Sequence, residues 1–153
     1  MPRVATSGMQ NDDCLHITLP AQPDSLSVAR RAIVAHAEKL GIARAGIADL
    51  KTVVSEACAN VVRHAYDEQD EAGTLEVDLN SGARELSMVV RDFGLGIRPL
   101  SSDDVPTLRL GLPIIGALSS SFNLVSVLSQ GTEITIRFTY AGSGAKAGGS
   151  VVR

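Results

Sequence analysis

Four short runs in this 153-residue sequence hold residue types that could act together chemically. The first is Ser55-Glu56-Ala57-Cys58-Ala59-Asn60-Val61-Val62-Arg63-His64-Ala65-Tyr66. Glu56, Asn60 and His64 recur every four residues, so at about 100° per residue they lie on nearly one side of a helix. A carboxylate there can accept a hydroxyl proton, and an amide oxygen is a hard ligand for Mg²⁺. The same row also reads as the solvent edge of an amphipathic helix, although an Asn in mid-helix is mildly unfavourable and asks for a reason. In the second run, Val89-Val90-Arg91-Asp92-Phe93-Gly94-Leu95-Gly96-Ile97, an apolar strand ends in Asp and two glycines come after it at alternate positions. Such an Asp can accept a hydrogen bond from an exocyclic amine, and Gly lets backbone approach a ligand closely. An ordinary Asp-x-Gly turn has the same spelling. The third run, Leu110-Gly111-Leu112-Pro113-Ile114-Ile115, puts a glycine where a helix could open and present free N–H groups to phosphate. The fourth, Gln130-Gly131-Thr132-Glu133, joins two strands and is equally a plain hairpin turn.

These runs need elements to hold them. Leu15, Ile17 and Leu19 alternate with His16 and Thr18, a short strand over 14–19. Pro20 and Pro23 close it, Asp24 or Ser25 can cap a helix running to about Leu40, and Gly41 can end that helix. Its apolar positions include Val28, Ala32, Ile33 and Ala37. A second helix is predicted over 45–66, with Leu50, Val53, Val54, Ala57 and Val61 as one buried stripe. After the charged turn DEQDEAG, strands over 74–80 and 85–91 form a hairpin around Ser81-Gly82. Residues 92–110 read mostly as loop, and 111–121 as a short helix that tolerates Pro113 in its first turn. Strands over 123–129 and 133–140 complete the order. Paired strands with helices between them imply an α+β fold: a two-layer sandwich, mixed or antiparallel sheet, helices on one face.

Composition narrows the classes. Apolar residues make up 44% of the chain, enough for one real core, while aromatics are only 3% and Trp is absent, so Val, Leu, Ile and Ala must fill it. A net charge of −3 argues against direct DNA binding. Cys14 and Cys58 have no partners at metal-ligand or disulfide-framework spacing and read as free thiols. No apolar run approaches the roughly 20 residues that span a bilayer, and the first residues lack a signal-peptide core. A cytoplasmic protein with no membrane contact is expected. Residues 1–12 and the Gly/Ser/Ala-rich 141–153 read as flexible ends of a domain over 13–140.

Taken together, the order and spacing of the four runs resemble the GHKL (Bergerat-fold) superfamily: Glu-x-x-x-Asn, Asp-x-Gly-x-Gly, a glycine at a helix, and Gly-Thr on the last hairpin. SEACANVVRHAY is similar to the corresponding box of the anti-sigma-factor serine/threonine kinases. The resemblance covers roughly residues 14–140, and no P-loop offers another route to nucleotide. It implies ATP and Mg²⁺ as cofactors. Asn60 matches the Mg²⁺ ligand, and Glu56 the carboxylate that activates the attacking hydroxyl. Asp92 matches the reader of the adenine amine, and Gly94 and Gly96 the adenine and sugar side of the pocket. Gly111 matches the phosphate end, and Thr132 the holder of an adenine-binding water. His64 matches a common family position without an assigned step.

Phe93 stands where Asn is usual, Arg109 where a first glycine often lies, and the stretch between Gly96 and Gly111 is short. The implied function is phosphorylation of a STAS-domain anti-anti-sigma factor coupled to sequestration of a sigma factor, with a possible homodimer. The alternative is a non-catalytic, nucleotide-sensing module that sequesters a partner.

Overall fold

A computed structural model describes residues 14–66, 73–96 and 108–140, apart from the side chains of His64 and of residues 108–110. The DEQDEAG turn lies outside these residues except for Gly73, as do both chain ends and the stretch 97–107. Strands β1 (Cys14–Pro20), β2 (Thr74–Ser81), β3 (Glu85–Asp92), β4 (Ser121–Val127) and β5 (Gly131–Thr139) form one sheet in the order β1-β2-β3-β5-β4. Every neighbouring pair is antiparallel. Helices α1 (Pro23–Lys39), α2 (Arg44–Asn60) and α3 (Leu108–Leu118) complete the α+β sandwich.

The period-2 pattern decides which face is covered. Ile17 and Leu19, Leu75, Val77 and Leu79, Leu86, Met88 and Val90, and Ile134 and Ile136 point into one buried core. Against them lie Ala29, Ile33 and Ala37 of α1, the predicted stripe of α2, and Ile115 of α3. The small residues of α1 let that helix lie close to its neighbours, where Leu would hold it off.

The helix boundaries correct the sequence reading in three places. Neither Asp24 nor Ser25 caps α1; Gln22 is the flanking residue, without a side-chain cap, and Pro23 sits in the first turn. Pro supplies the helical φ in advance and its missing N–H costs nothing there, which frees Ser25 to be buried on the core side. Gly41 ends α1 as expected, at φ +76°. Its N–H bonds Glu38 O and the Ile42 N–H bonds Ala37 O, so the last carbonyls are satisfied.

The second correction concerns α2, which does not run unbroken to Tyr66. It widens into a π-helical turn over Val61–Ala65, and Tyr66 is already extended at φ −126° and ψ 146°. A π turn takes up one extra residue, so the residues beyond it are rotated by about 100° relative to a continued α-helix. The third is α3, which begins at Leu108. Gly111 therefore lies inside the helix, and Pro113 falls in its second turn, where it cannot donate to the carbonyl of Arg109 four residues back.

On the uncovered face, His16, Asp78, Arg91 and Glu133 form a row of polar contacts across β1, β2, β3 and β5. Asp78 accepts from both His16 and Arg91, and Arg91 Nε donates to Glu133 Oε2 at 2.7 Å. Burial pushes the Asp78 carboxyl up, but its bonds to His16 and Arg91 outweigh that and hold it below the ordinary value. A depressed carboxyl stabilises the fold above its unfolded pKa, and that contribution is lost as pH falls through the folded value. Denaturant titrations from about pH 6 to about pH 2 should show the parent losing more stability than Asp78→Asn. Parallel losses in the two proteins would exclude the network as a source of acid sensitivity.

Candidate functional site

Asp92 closes β3 with its side chain on the covered side of the sheet and only 7% of its surface exposed. Its Oδ1 accepts the N–H of Gly94 at 3.0 Å and the N–H of Thr132 at 3.2 Å. Burial raises the carboxyl's pKa and these two backbone donors oppose the rise without cancelling it. Among the described residues nothing donates to Oδ2. The site therefore offers one fixed, poorly solvated acceptor oxygen, which would bond strongly to an amine brought against it.

Glycines hold this carboxylate in place by letting three backbones meet. A Cβ on Gly94 would lie 1.8 Å from the Ala65 carbonyl oxygen, and one on Gly131 would lie 2.1 Å from the Asp92 carbonyl oxygen. Gly96, at φ +73°, passes the β4–β5 turn, where a Cβ would come within 2.7 Å of Val127 O. The neighbouring Leu95 N–H donates to Ala65 O at 2.8 Å, and the Ser129 N–H donates to Leu95 O at 2.9 Å. Gly94 and Gly96 thus fasten the Asp92 loop to the end of the α2 segment and to the last hairpin. Thr132 acts on Asp92 through its backbone N–H, while its hydroxyl pairs with Ser126 Oγ at 3.0 Å.

Glu56 and Asn60 lie one turn apart on α2, both half-buried, between fully buried Ala57 and Cys58 and the solvent. Helix α3 crosses them at Gly111. A Cβ there would lie 3.1 Å from Glu56 Oε2 and 3.3 Å from the Asn60 side-chain amide. Because α3 starts before Gly111, this glycine is not a helix-opening phosphate donor. It is the gap that lets α3 approach the two polar side chains. Cys58 between them is fully buried, and burial pushes its thiol up to about 12, so it is neither nucleophile nor ligand at neutral pH.

The structure thus brings Asp92, Gly94 and Thr132 together at one end, and Glu56, Asn60 and Gly111 together along α2. The side chains of His64 and Arg109 lie outside those described. Sequence reasoning missed two residues that join the ends, Ala65 and Tyr66. The Phe93 N–H donates to Tyr66 Oη at 2.9 Å, beside the Leu95–Ala65 bond. Their only signal was position, at the close of the run that begins with Glu56.

The donor set fits a hard cation and a nucleotide. An amide oxygen and a carboxylate suit Mg²⁺. Among the described residues no group of three or more His, Cys, Asp or Glu could hold a metal ion alone. A cation bound here would need further oxygens, as Mg²⁺ does when it shares ligands with substrate phosphates.

Comparison with known proteins gives the family and the fold. The family described as "Histidine kinase-like ATPase domain" matches residues 19–138, which carries ATP binding with it. The serine-protein kinase RsbW of Bacillus subtilis (strain 168) is 36% identical over 84 residues, covering 55% of this chain and 52% of that protein. The anti-sigma F factor of Clostridium kluyveri (strain ATCC 8527) is 25% identical over 135 residues, 82% of this chain and 94% of that one. The chain thus spans about half the length of the serine-protein kinases it matches. The crystal structure of the RsbU and RsbW domains of Rv1364c from Mycobacterium tuberculosis superposes with a TM-score of 0.64 at 22% identity. It covers 84% of this chain and 33% of that one, and shares the fold.

The raised pKa of Asp92 has a sign that can be tested. A carboxyl raised on folding costs stability once ionised, a cost absent below its unfolded pKa and complete above its folded one. Asp92→Asn keeps an acceptor for the Gly94 and Thr132 N–H groups and removes that cost. The variant is expected to melt no lower than the parent near neutral pH, yet to bind ATP roughly 10- to 150-fold more weakly, the range of a lost charged hydrogen bond. Calorimetry and equilibrium binding on one preparation check both; a large fall in melting temperature with unchanged binding would contradict the assignment.

Proposed function

The chain belongs to the histidine kinase-like ATPase domain family, and on that premise we propose that it is a serine/threonine protein kinase acting on a regulatory partner. The protein substrate is a STAS-domain anti-anti-sigma factor, and a sigma factor competes with it for the same regulator. The observation that carries this reading is the pairing of Glu56 with Asn60 on one face of α2, with Gly111 holding α3 against both. A module that only sensed nucleotide would need an Asn to retain the metal but no carboxylate one turn before it.

Each residue then has a task set by its surroundings. Asp92 Oδ2 accepts the adenine amine, and its fixed position selects adenine over bases that present a carbonyl there. Asn60 would hold Mg²⁺ through its amide oxygen, and the ion, when bound, would supply neutralisation of phosphate charge, the chief electrostatic need of phosphoryl transfer. Glu56 orients a serine or threonine hydroxyl and takes its proton as the oxygen forms its bond to the γ-phosphorus and the bond to the ADP oxygen breaks. Most of the rate enhancement in such a site comes from position and charge, with the base contributing about 10²–10⁴-fold.

The RsbW kinases and the anti-sigma F factor support the choice of partners, since their names describe a serine-protein kinase and an anti-sigma factor. No helix among the described residues is long and apolar enough to cross a membrane.

Two substitutions divide binding from chemistry. Asn60→Ala should keep the fold, because a half-exposed helix position tolerates Ala, and lose Mg²⁺-dependent ATP binding; parent-like Mg·ATP affinity would remove Asn60 from the metal site. Glu56→Gln should retain ATP and sigma-factor binding and lose phosphoryl transfer to a cognate STAS protein by about 10²–10⁴-fold. Radiolabel transfer from ATP is the measurement. A parent that binds ATP and a sigma factor yet phosphorylates no STAS protein would leave the sequestering module as the function.

A further inference from the structure

We infer that Tyr66 is a positioning residue that holds the base-reading end of the site in register with the metal end. The inference rests on the roles proposed for Asp92 and Asn60 and adds a residue to them. Tyr66 is the first residue after the π-helical turn that extends α2. Its hydroxyl donates to the Thr74 carbonyl at 2.6 Å and accepts the Phe93 N–H at 2.9 Å. The direction of both bonds is fixed, because a carbonyl can only accept and an amide N–H can only donate. One phenol thus uses its single proton on the start of β2 and a lone pair on the residue directly after Asp92.

The ring itself is fixed. A Cβ on Gly73 would fall 2.3 Å from the ring carbons Cε1, Cε2 and Cζ, so the ring lies against bare backbone at the entry to β2. Just beyond Phe93, the Leu95 N–H reaches the carbonyl of Ala65, Tyr66's own neighbour. Two consecutive residues at the end of the α2 segment therefore grip two alternate amides of the Asp92 loop. The π turn is what makes this possible, because an unbroken α-helix would carry Tyr66 about 100° around the axis from its present direction.

The consequence is mechanical. A nucleotide must satisfy Asp92 with its base and Asn60, through Mg²⁺, with its phosphates, and those residues stand on different elements. Among the described side chains, Tyr66 is the one on the α2 segment that hydrogen-bonds the backbone of the Asp92 loop. Without its hydroxyl the Phe93 N–H loses its partner and the carboxylate loses a restraint one residue away. Tyr66 touches neither substrate nor metal in this scheme and acts only through the placement of Asp92.

Tyr66→Phe keeps the ring over Gly73 and removes the hydroxyl alone. The variant is expected to bind Mg·ATP about tenfold more weakly, and the preference for ATP over GTP should narrow, because the loss falls on base reading. In an Asp92→Asn background the same change should cost less than about twofold, since the residue it places has already lost its charge. A general loss of stability would instead weaken ATP and GTP binding alike and add equally in both backgrounds; either result overturns the clamp. Should Tyr66→Phe fail to fold, amide exchange in the parent decides. The Phe93 amide is expected to exchange slowly without nucleotide, and exchange as fast as an open loop would overturn the inference. A parent that binds neither nucleotide removes the site reading and the clamp with it, whereas a parent that binds ATP no better than Tyr66→Phe removes the clamp alone.

Discussion

The end of β3 runs through a passage too narrow for any side chain. On one side the Ala65 carbonyl sits against Gly94, and on the other Gly131 sits against the carbonyl of Asp92 itself. Hydrogen bonds then close the passage: Leu95 to Ala65, Thr132 to the Asp92 carboxylate, and Ser129 to Leu95. Three segments far apart in sequence meet there, chiefly through backbone groups. The buried carboxylate, the direction of the last hairpin and the approach of the α2 segment all depend on this meeting. Methyl groups at Gly94 or Gly131 would have to displace backbone rather than a flexible side-chain end, which close-packed interiors accommodate poorly.

Burial and charge pull against each other at Asp92. An apolar residue in that place would be easier to bury, and a fully hydrogen-bonded carboxylate would be easier to ionise. The protein keeps a carboxylate with one oxygen satisfied by backbone and the other left without a described partner. That is the arrangement expected of a binding group held ready for its ligand, because its desolvation is met on folding rather than on binding. The uncovered sheet face shows the opposite treatment. There Asp78 is paired with both His16 and Arg91, and Arg91 is paired in turn with Glu133, so the charges are matched within the sheet.

The α2 segment carries the second half of the logic. Its buried stripe fixes the rotation of the helix against the sheet, which in turn fixes Glu56 and Asn60 at the half-buried edge. The helix that crosses them can come close only because Gly111 has no side chain. Glu56 and Asn60, the Asp92 loop and the crossing helix are thus positioned by the same elements that pack the core. A change in core volume under α2 would move the site without touching it.

Much of this was determined by the sequence. Period-2 alternation in β1 and β2 set the face each buries, because one-residue slips would bury His16 or Asp78 in place of Ile17 or Val77. The spacing of Leu50, Val53, Val54, Ala57 and Val61 set the buried face of α2, and with it the edge on which Glu56 and Asn60 stand. The termination of α1 was legible in Gly41, since a left-handed backbone favours glycine strongly. What only the tertiary structure decided lies where backbone meets backbone. The start of α3 at Leu108 and the π turn after Asn60 have no distinct local signal, because the same residues support an α-helix equally well. The glycines at 94, 96, 111 and 131 announced themselves as unusual, but not why. A missing Cβ matters only through what lies opposite it, and Ala65, Val127, Glu56 and the Asp92 carbonyl are brought there by the packing of elements distant in the chain.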